Sequence, residues 1–364
     1  MIPSITEGDI AAATDVFRSG MLIQGRHVMA LERTVSSMSG TRHAVAVSNG
    51  TATMHLVLVA LGIGPGDEVI VPAFSYVATA NVVELVGARP VFADIDPETF
   101  NIDVSRVEAL ITPRTKAIIP VHEFGLACEI TKLMGIAERH QLQVIEDAAC
   151  ALGACENGRP VGSFGRAGSF SLHPRKSVTS GEGGVITTDD PELARRLSIL
   201  RNHGVDYVNG TMDFVEAGYN YRMTDFQAAF VNSQLDRFGE ILERKKDLAV
   251  VYLESIQEDR LRLPRVPADR NHTWQTFHLL LDADIDRAAL MASLKEAGIG
   301  SNYGAQCIPA TTYYRKKYHH DAAVEFPHAY SAYTRGLAIP LYDSLTKEDI
   351  LHISKQINKL TGNA

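Results

Sequence analysis

Short apolar strands alternate with helical patterns through the first half of the chain, and this alternation constrains the fold more than any other feature. The pattern predicts strands at 43–48, 68–72, 90–95, 116–122 and 143–147, with helices at 52–61, 77–86, 105–111 and 130–140 between them. Such alternation is typical of βαβ units, in which helices cover both faces of a mostly parallel sheet. The sequence therefore predicts an α/β fold whose ligands bind beyond the carboxyl ends of the strands.

The remaining segments extend this pattern and then change it. Thr6 and Asp9 resemble a capping box and predict a first helix to about residue 18. Further helices are predicted at 28–37, 191–201, from 226, 240–256, 287–297 and 346–360, further strands at 169–172, 185–188 and 273–281, and an irregular surface loop at 205–218. The change of pattern predicts a large domain, 1–245, and a smaller C-terminal α/β domain, 246–364.

Length and composition exclude several classes of protein. With 364 residues, of which 45% are hydrophobic, the chain can bury a large core. A formal net charge of −8 and the lack of a basic stretch argue against nucleic acid as a partner. The four cysteines form no metal-like pair and predict free thiols, and no signal peptide or membrane span is recognisable. These features predict a cytoplasmic enzyme without a metal.

One lysine, Lys176, lies in a stretch rich in glycine and serine, 168–184, between two predicted strands. A lone lysine is more often a solvated surface residue, but apolar strands flank this one and the glycines at 181–184 permit close backbone approach. Upstream, Asp147 ends a predicted buried strand, where a turn or cap role is the alternative. A lysine that can form an imine and an acid that can keep a pyridine nitrogen protonated are groups that pyridoxal phosphate requires. Together they predict a pyridoxal phosphate site.

Residues 48–52 connect a predicted strand to a predicted helix, and the first N–H groups of that helix, with its dipole, would suit a phosphate. Ser171 could also reach a phosphate. Tyr76, just after the next strand, could stack on a planar ring, although ordinary core packing is the alternative.

Several motifs then occur in an order found in one family. They are residues 50–52 (Gly-Thr-Ala), 72–79 (Pro-Ala-Phe-Ser-Tyr-Val-Ala-Thr), 146–149 (Glu-Asp-Ala-Ala), 170–176 (Phe-Ser-Leu-His-Pro-Arg-Lys), 179–184 and 218–225. This set resembles the DegT/DnrJ/StrS-type aminotransferases, which act on sugars attached to nucleotides. The resemblance covers nearly the whole chain and is densest before about residue 240. It implies a fold-type-I pyridoxal phosphate enzyme, similar to aspartate aminotransferase, with a seven-stranded sheet and a homodimer whose site lies at the subunit interface.

The resemblance also implies roles for individual residues. Lys176 would form the covalent link to the cofactor and then move a proton, and Asp147 would pair with the pyridinium nitrogen. Tyr76 would stack on the ring. The other cofactor contacts would come from Gly50, Thr51, Ala52, Cys150, Ser171 and, in the partner subunit, Asn220. The substrate end of the pocket would be lined by His173, Arg222 and Tyr303.

This chain departs from the family pattern at three places. Cys150 stands where Gln or His is frequent, close to the ring hydroxyl, and a thiol is a poor hydrogen-bond partner there. Glu123 and Phe124 stand where Leu and Tyr are common. The segment 308–313 lacks a histidine that many members have.

The implied reaction is a transamination in two halves, in which L-glutamate gives its amino group to the cofactor and a keto group of a nucleotide-linked sugar then receives it. His173 before the lysine favours C4 of a 4-keto-6-deoxyhexose, in the biosynthesis of cell-surface polysaccharide such as lipopolysaccharide O-antigen. The alternatives are a 3-keto sugar or a cyclitol as acceptor, a sugar dehydratase, a non-catalytic ligand sensor, and a thiol hydrolase using Cys150. Lys176 argues against the dehydratase, which typically has histidine at that position.

Overall fold

The computed structural model describes residues 3–257 and 259–362. Its α-helices are α1 Glu7–Ser19, α2 Arg26–Ser39, α3 Gly50–Ala60, α4 Ala78–Leu85, α5 Val104–Val107, α6 Ile130–Arg139, α7 Pro191–Leu200, α8 Asp225–Leu235, α9 Phe238–Ser255, α10 Arg287–Glu296, α11 Thr312–Tyr318, α12 Ala322–Glu325, α13 Pro327–Arg335 and α14 Lys347–Thr361. Its strands are β1 His43–Val47, β2 Glu68–Pro72, β3 Phe74–Ser75, β4 Arg89–Ala93, β5 Thr115–Ile118, β6 Gln143–Asp147, β7 Cys155–Glu156, β8 Arg159–Pro160, β9 Ala167–Ser171, β10 Gly184–Thr188, β11 Val205–Val208, β12 Thr211–Phe214, β13 Leu261–Arg262, β14 Phe277–Leu281, β15 Gln306–Cys307 and β16 Gly336–Ile339.

A seven-stranded sheet in the order β1-β10-β9-β6-β5-β2-β4 forms the centre of the large N-terminal part. The five strands from β9 to β4 are parallel, and β10 runs antiparallel to both of its neighbours. The predicted α/β class with a mostly parallel sheet is therefore confirmed.

Alternate residues of the sheet enter two different cores. In β2, Val69 and Val71 pack into the core that contains α3, whereas Ile70 packs into the core under α6. In β6, Ile145 packs into the core that contains α3, and Val144 packs into the core under α6. All five residues of β2 are buried because helices cover both faces of a parallel sheet. Both faces are therefore sealed, and the strand ends are left for binding.

The C-terminal part has a core of its own, in which the antiparallel sheet β13-β14-β16 packs with helices α9, α10 and α14. Other C-terminal residues, from Ala305 to Ala332, pack into the core of the large sheet instead. Lys245 lies inside helix α9, so a division of the chain near residue 245 would cut a continuous helix. That division stays a prediction.

Most elements lie within one to three residues of their predicted ends, and β2 and β6 match theirs. The predicted loop at 205–218 is wrong, because β11 and β12 form an antiparallel hairpin. Its two-residue turn is Asn209-Gly210, with φ of 52° and 80°, which is the turn chemistry that favours a hairpin.

Three other predictions need correction. The strand predicted at 116–122 ends at Ile118, two residues before Pro120. A proline has no N–H group and cannot donate a hydrogen bond to a neighbouring strand. The strand predicted at 273–281 begins only at Phe277, since Trp274 has a φ of 52°. The helix predicted at 105–111 is the short α5 followed by a 3₁₀ turn, Glu108–Leu110.

No helix in the described ranges combines the length and apolar character that a membrane crossing requires.

Asp225 connects two helices that are far apart in sequence. Helix α2 begins after Gly25, which has no side chain to cap it. Oδ1 of Asp225 instead accepts the backbone N–H groups of Gly25, His27 and Val28 at 2.8, 3.1 and 2.9 Å. This carboxylate supplies the acceptor that a helix N-terminus needs.

We expect D225A to lower the free energy of unfolding by about 2 kcal/mol or more, because one buried and two partly buried N–H groups lose their acceptor. D225N keeps an acceptor oxygen at the same place and should lose clearly less. Urea unfolding of the two variants beside the wild type measures the difference. Equal stabilities for D225A and D225N would contradict the capping role.

Candidate active site

The carboxyl ends of four neighbouring parallel strands, β9, β6, β5 and β2, meet at one edge of the sheet. Ser171 ends β9 and Asp147 ends β6, while Glu123 lies in the turn after β5 and Thr79 in the first turn of α4, after β2. Lys176 follows β9 by five residues. The sheet topology thus brings residues from distant parts of the sequence together, as expected for a site at this edge.

Lys176 lies against Cys150. Its Nζ is 2.9 Å from Cys150 Sγ, and both residues are half-buried. The lysine backbone N–H donates to His173 O at 2.8 Å, which closes a turn after β9. Burial raises the pKa of the Cys150 thiol, although the lysine ammonium opposes this shift. Cys150 is therefore a protonated thiol at neutral pH.

Asp147 is a buried carboxyl group held from two sides. Thr79 Oγ1 donates to Asp147 Oδ2 at 2.8 Å, and the Ala149 N–H donates to Oδ1 at 3.2 Å. Burial raises the pKa of this carboxyl, while the two donors and the charge of Lys176 act in the opposite direction. The arrangement prepares an acid that gains strongly from a cationic partner.

The neighbouring Glu146 fixes the end of β6 from the opposite face. Its carboxylate accepts the N–H groups of Gly162, Phe164 and Gly165 at 2.8 to 2.9 Å. His122 Nδ1 accepts the Cys128 N–H, so the ring proton is on Nε2, which donates to Glu146 Oε2 at 3.1 Å. This rigid support determines where the Asp147 side chain lies.

The N-terminus of α3 is the place where the sequence predicts a phosphate to bind, and this assignment stays a prediction. The Asn49 side chain caps the helix by accepting the Ala52 N–H at 2.8 Å. A Cβ on Gly50 would lie 2.8 Å from Ser171 Cβ and 2.9 Å from its Oγ, so only glycine allows this serine to approach. Thr51 is exposed. Asn49 thus occupies the Ala52 N–H, whereas the N–H groups of Gly50 and Thr51 have no partner within the helix, and the Ser171 hydroxyl lies beside Gly50.

The remaining predicted residues differ in their exposure and in their contacts. Tyr76 is 58% exposed and precedes α4. His173 is half-buried, which lowers the pKa of its ring. Arg222 Nη1 donates to Asn202 Oδ1 at 2.7 Å. Asn220 is exposed, and the exposed Tyr303 stacks under Arg287, 4.5 Å from ring centre to guanidinium carbon.

In the described part of the chain, no hydrogen bond joins Asn220, Arg222 or Tyr303 to Lys176 or Asp147. The structure therefore places Lys176, Cys150, Asp147 and Ser171 at one edge of the sheet, and their roles toward a cofactor stay predictions. The assignments of Asn220, Arg222, His173 and Tyr303 stay predictions.

Sequence reasoning missed the role of Thr79 and of Lys245. Thr79 is the buried donor to Asp147, and it lies in a motif that was recognised without a role for this residue. Lys245 is 2% exposed, donates to Ser177 Oγ at 3.0 Å, and has its pKa lowered to about 8 by burial. The sequence does indicate that Lys245 is buried, because Ile241, Lys245 and Leu248 are spaced to lie on one face of a helix.

We expect T79V to raise the pKa of Asp147 further, because the ionised carboxylate loses a hydrogen-bond donor. Such a bond to a charged group contributes about 1.5–3 kcal/mol. The lost hydrogen bond matters only while Asp147 is ionised, which is the case above its pKa in the folded protein. The loss of stability in T79V should therefore grow as the pH rises through that pKa. Unfolding free energies of T79V and of T79S, which keeps the hydroxyl, measured from pH 4 to 8 check this. A constant difference between the two variants would contradict it.

Comparisons with known proteins agree with this geometry. The model of the DegT/DnrJ/EryC1/StrS aminotransferase family matches residues 3–358. UDP-4-amino-4-deoxy-L-arabinose–oxoglutarate aminotransferase of Shewanella sediminis is 37% identical, over 99% of this chain and 97% of its own. The spore coat polysaccharide biosynthesis protein SpsC of Bacillus subtilis is also 37% identical, over 100% and 97%.

A sugar aminotransferase of Streptococcus pneumoniae is similar in structure, with a TM-score of 0.95 and 30% identity, and the match covers 100% of this chain and 98% of that one. It has been solved in its pyridoxamine phosphate form and in its pyridoxal phosphate form. The motifs, the fold and these relatives agree, and the chain belongs to the DegT/DnrJ/EryC1/StrS aminotransferase family, whose members use pyridoxal phosphate.

Proposed function

We propose that this enzyme transfers the amino group of L-glutamate to C4 of a nucleotide-linked 4-keto-6-deoxyhexose, for the biosynthesis of a cell-surface polysaccharide. The observation that carries the aminotransferase chemistry is the placement of Lys176 and Asp147 at the same edge of the sheet. The rest of the proposal specifies what this chemistry acts on.

The residues at this edge fit pyridoxal phosphate. The glycine-lined approach of Ser171 to the N-terminus of α3 suits a phosphate, which is stabilised by unpaired N–H groups and the helix dipole. Asp147 suits a pyridinium nitrogen, because a buried carboxylate with a raised pKa gains from a cation. Tyr76 is exposed and follows Ser75, whose Oγ is 3.1 Å from Thr79 Oγ1, so that its side chain can cover a ring. When bound, the cofactor supplies an electron sink, which makes the C–H bond next to the amino group of the donor acidic.

Lys176 then acts as the proton carrier. With the cofactor bound, its amine would take a proton from the donor carbon in the first half of the reaction and return one in the second half. The turn from His173 to Lys176 holds the amine at the site. Because the amine is tethered, its effective concentration near the reacting carbon is high. Asp147 would hold the pyridine nitrogen of the cofactor protonated.

The names of the relatives support the substrates proposed. The Shewanella enzyme is named for a 4-amino-4-deoxy sugar joined to UDP and for oxoglutarate, which is the keto acid that L-glutamate leaves behind. The Bacillus relative is named for polysaccharide biosynthesis. His173, placed just after β9, is the residue of this chain that favours amination at C4. The four cysteines are free thiols, which fits the reducing cytoplasm that we propose as the location.

A homodimer is part of the proposal, with Asn220 of the partner subunit contributing to each site. Apolar side chains lie exposed at two places on the single chain. They are Met21, Leu22, Ile23 and Met29 around the start of α2, and Tyr207, Val208, Met212 and Phe214 on the hairpin. Exposed apolar patches of this kind mark interaction surfaces. A second copy of this chain would cover them.

The first experiment is an absorption spectrum of purified protein with pyridoxal phosphate, for wild type and K176A. We expect a visible band in the wild type that L-glutamate removes, because the cofactor passes to its amine form, and no such band in K176A. K116A, which changes an exposed lysine of β5, is the control and should match the wild type. Turnover by K176A at the wild-type rate would contradict the role of Lys176.

The shared site can be tested by mixing two inactive variants, K176A and N220A. A mixed dimer has one site with both intact residues, so activity should return to at most about one quarter of the wild-type value if chains pair at random. If Asn220 served its own subunit, both sites of each mixed dimer would carry one defect. A mixture as inactive as its components would then contradict the shared site.

A further inference from the structure

Glu123 is a second acid at the site, and the cofactor chemistry described above does not use it. It begins the turn Glu123–Gly125 that follows β5. The adjacent His122 N–H donates to Asp147 O at 3.0 Å, so this turn runs directly beside the end of β6. Glu123 is 5% exposed, and its Oε2 has no hydrogen-bond partner. A buried polar atom without a partner is costly and indicates a functional demand.

The charges around Glu123 favour its neutral form. Burial is the main cause that raises the pKa of this carboxyl to about 8, and the charge of Asp147 is the next, while Lys176 opposes both. Cys150 also interacts with it. The other titratable groups nearby are His122 beside it in the chain and, around a small cavity that Glu123 lines, Glu98, Arg265, His272 and His278.

A hydroxyl donor serves Asp147 and not the Oε2 atom of Glu123. Thr79 Oγ1 donates to Asp147 Oδ2 at 2.8 Å and lies 3.1 Å from Ser75 Oγ. Among the described residues, the Glu123 Oε2 atom has no such donor. All three residues Ser75, Thr79 and Glu123 are buried.

We propose that Glu123 and Asp147 share one proton at neutral pH, that Glu123 holds it, and that Glu123 is thereby a positioning residue which keeps Asp147 ionised toward the cofactor. This inference deepens the proposed function and rests on it for the role of Asp147. Two nearby carboxyls in unlike environments divide protons in this way. Asp147 has two donors and Glu123 has an orphaned oxygen, so the proton remains on Glu123.

The test uses the full chain without cofactor. Infrared or carbon NMR spectroscopy of protein labelled in Glu carboxyl carbons should find one glutamic acid that stays protonated at pH 7 and titrates near pH 8. The signal should be absent from E123Q and present in E98Q, which changes an exposed glutamate at the same cavity. If the protonated Glu signal persists in E123Q, or is missing from the wild type, the proposal is overturned.

Stability gives a second reading on the same protein. The native acid keeps a proton that the unfolded chain loses above about pH 4.5, so stability falls as the pH rises from there to about 8. The ratio of folded to unfolded wild type should therefore fall by about tenfold per pH unit relative to E123Q. E123L, also uncharged, replaces E123Q if the amide does not fold. Parallel pH profiles for wild type and both variants would overturn the proposal.

Cofactor binding separates this inference from the proposed function. The affinity of the wild type for pyridoxal phosphate should change more steeply above pH 8 than that of E123Q, because only the wild type gains a second negative charge beside Lys176, whereas Lys245 titrates near pH 8 in both proteins. Protein that never binds the cofactor would refute the proposed function, whereas the titration of the cofactor-free chain still decides where the proton lies. A wild-type affinity that changes identically in E123Q would overturn the role of Glu123.

Discussion

The desolvated carboxyl group of Asp147 is the constraint on which the site depends. It ends a strand that is buried on both faces, so water cannot stabilise its charge there. Its stabilisation comes instead from fixed groups: the Thr79 hydroxyl, the Ala149 N–H and the ammonium of Lys176. Glu146, one residue earlier and facing the other side, fixes the strand end with backbone donors and His122. An acid held in this way gains more from a cationic ring nitrogen than a solvated acid would.

Several ionisable groups lie close together at the site, and burial determines which of them are charged at neutral pH. Cys150 stays a thiol and Glu123 has a pKa raised to about 8, so both are uncharged at neutral pH. Behind Lys176, the buried Lys245 donates to Ser177, and Ser177 in turn approaches the amide oxygen of Gln275 at 3.4 Å. The Gln275 amide also donates to the carbonyl of Arg175. These contacts hold the backbone on both sides of Lys176, which orients its amine without touching it.

The sequence predicts the helices and strands well because each of them depends mainly on the pattern of apolar residues and turns within its own segment. Strands β2 and β6 were predicted with their observed bounds, since their residues are apolar on both faces and bounded by turns. That Asp147 and Ser171 lie at one edge of the sheet was also predictable, because the carboxyl ends of parallel strands meet. The hairpin at 205–214 was missed although its Asn209-Gly210 turn was visible, because its side chains are exposed and do not alternate as a half-buried strand does.

The tertiary contacts of the site were beyond a single sequence. The hydrogen bond between Thr79 and Asp147 joins residues that are 68 positions apart in the sequence, and so does the hydrogen bond between Lys245 and Ser177. Glu123 was visible as a departure from the family pattern, but its orphaned oxygen appears only when the turn after β5 is placed beside β6. Such contacts depend on strand order, which residue pattern alone does not determine.

The most direct test of the account is to identify the lysine that binds the cofactor. Protein incubated with pyridoxal phosphate would be reduced with borohydride, which makes the link permanent, digested and mapped by mass spectrometry. The account predicts one modified lysine, Lys176. The neighbouring Lys245 is a meaningful rival, since burial lowers its pKa to about 8 and leaves much of its amine unprotonated near that pH. Modification of Lys245 with Lys176 left free would contradict the account.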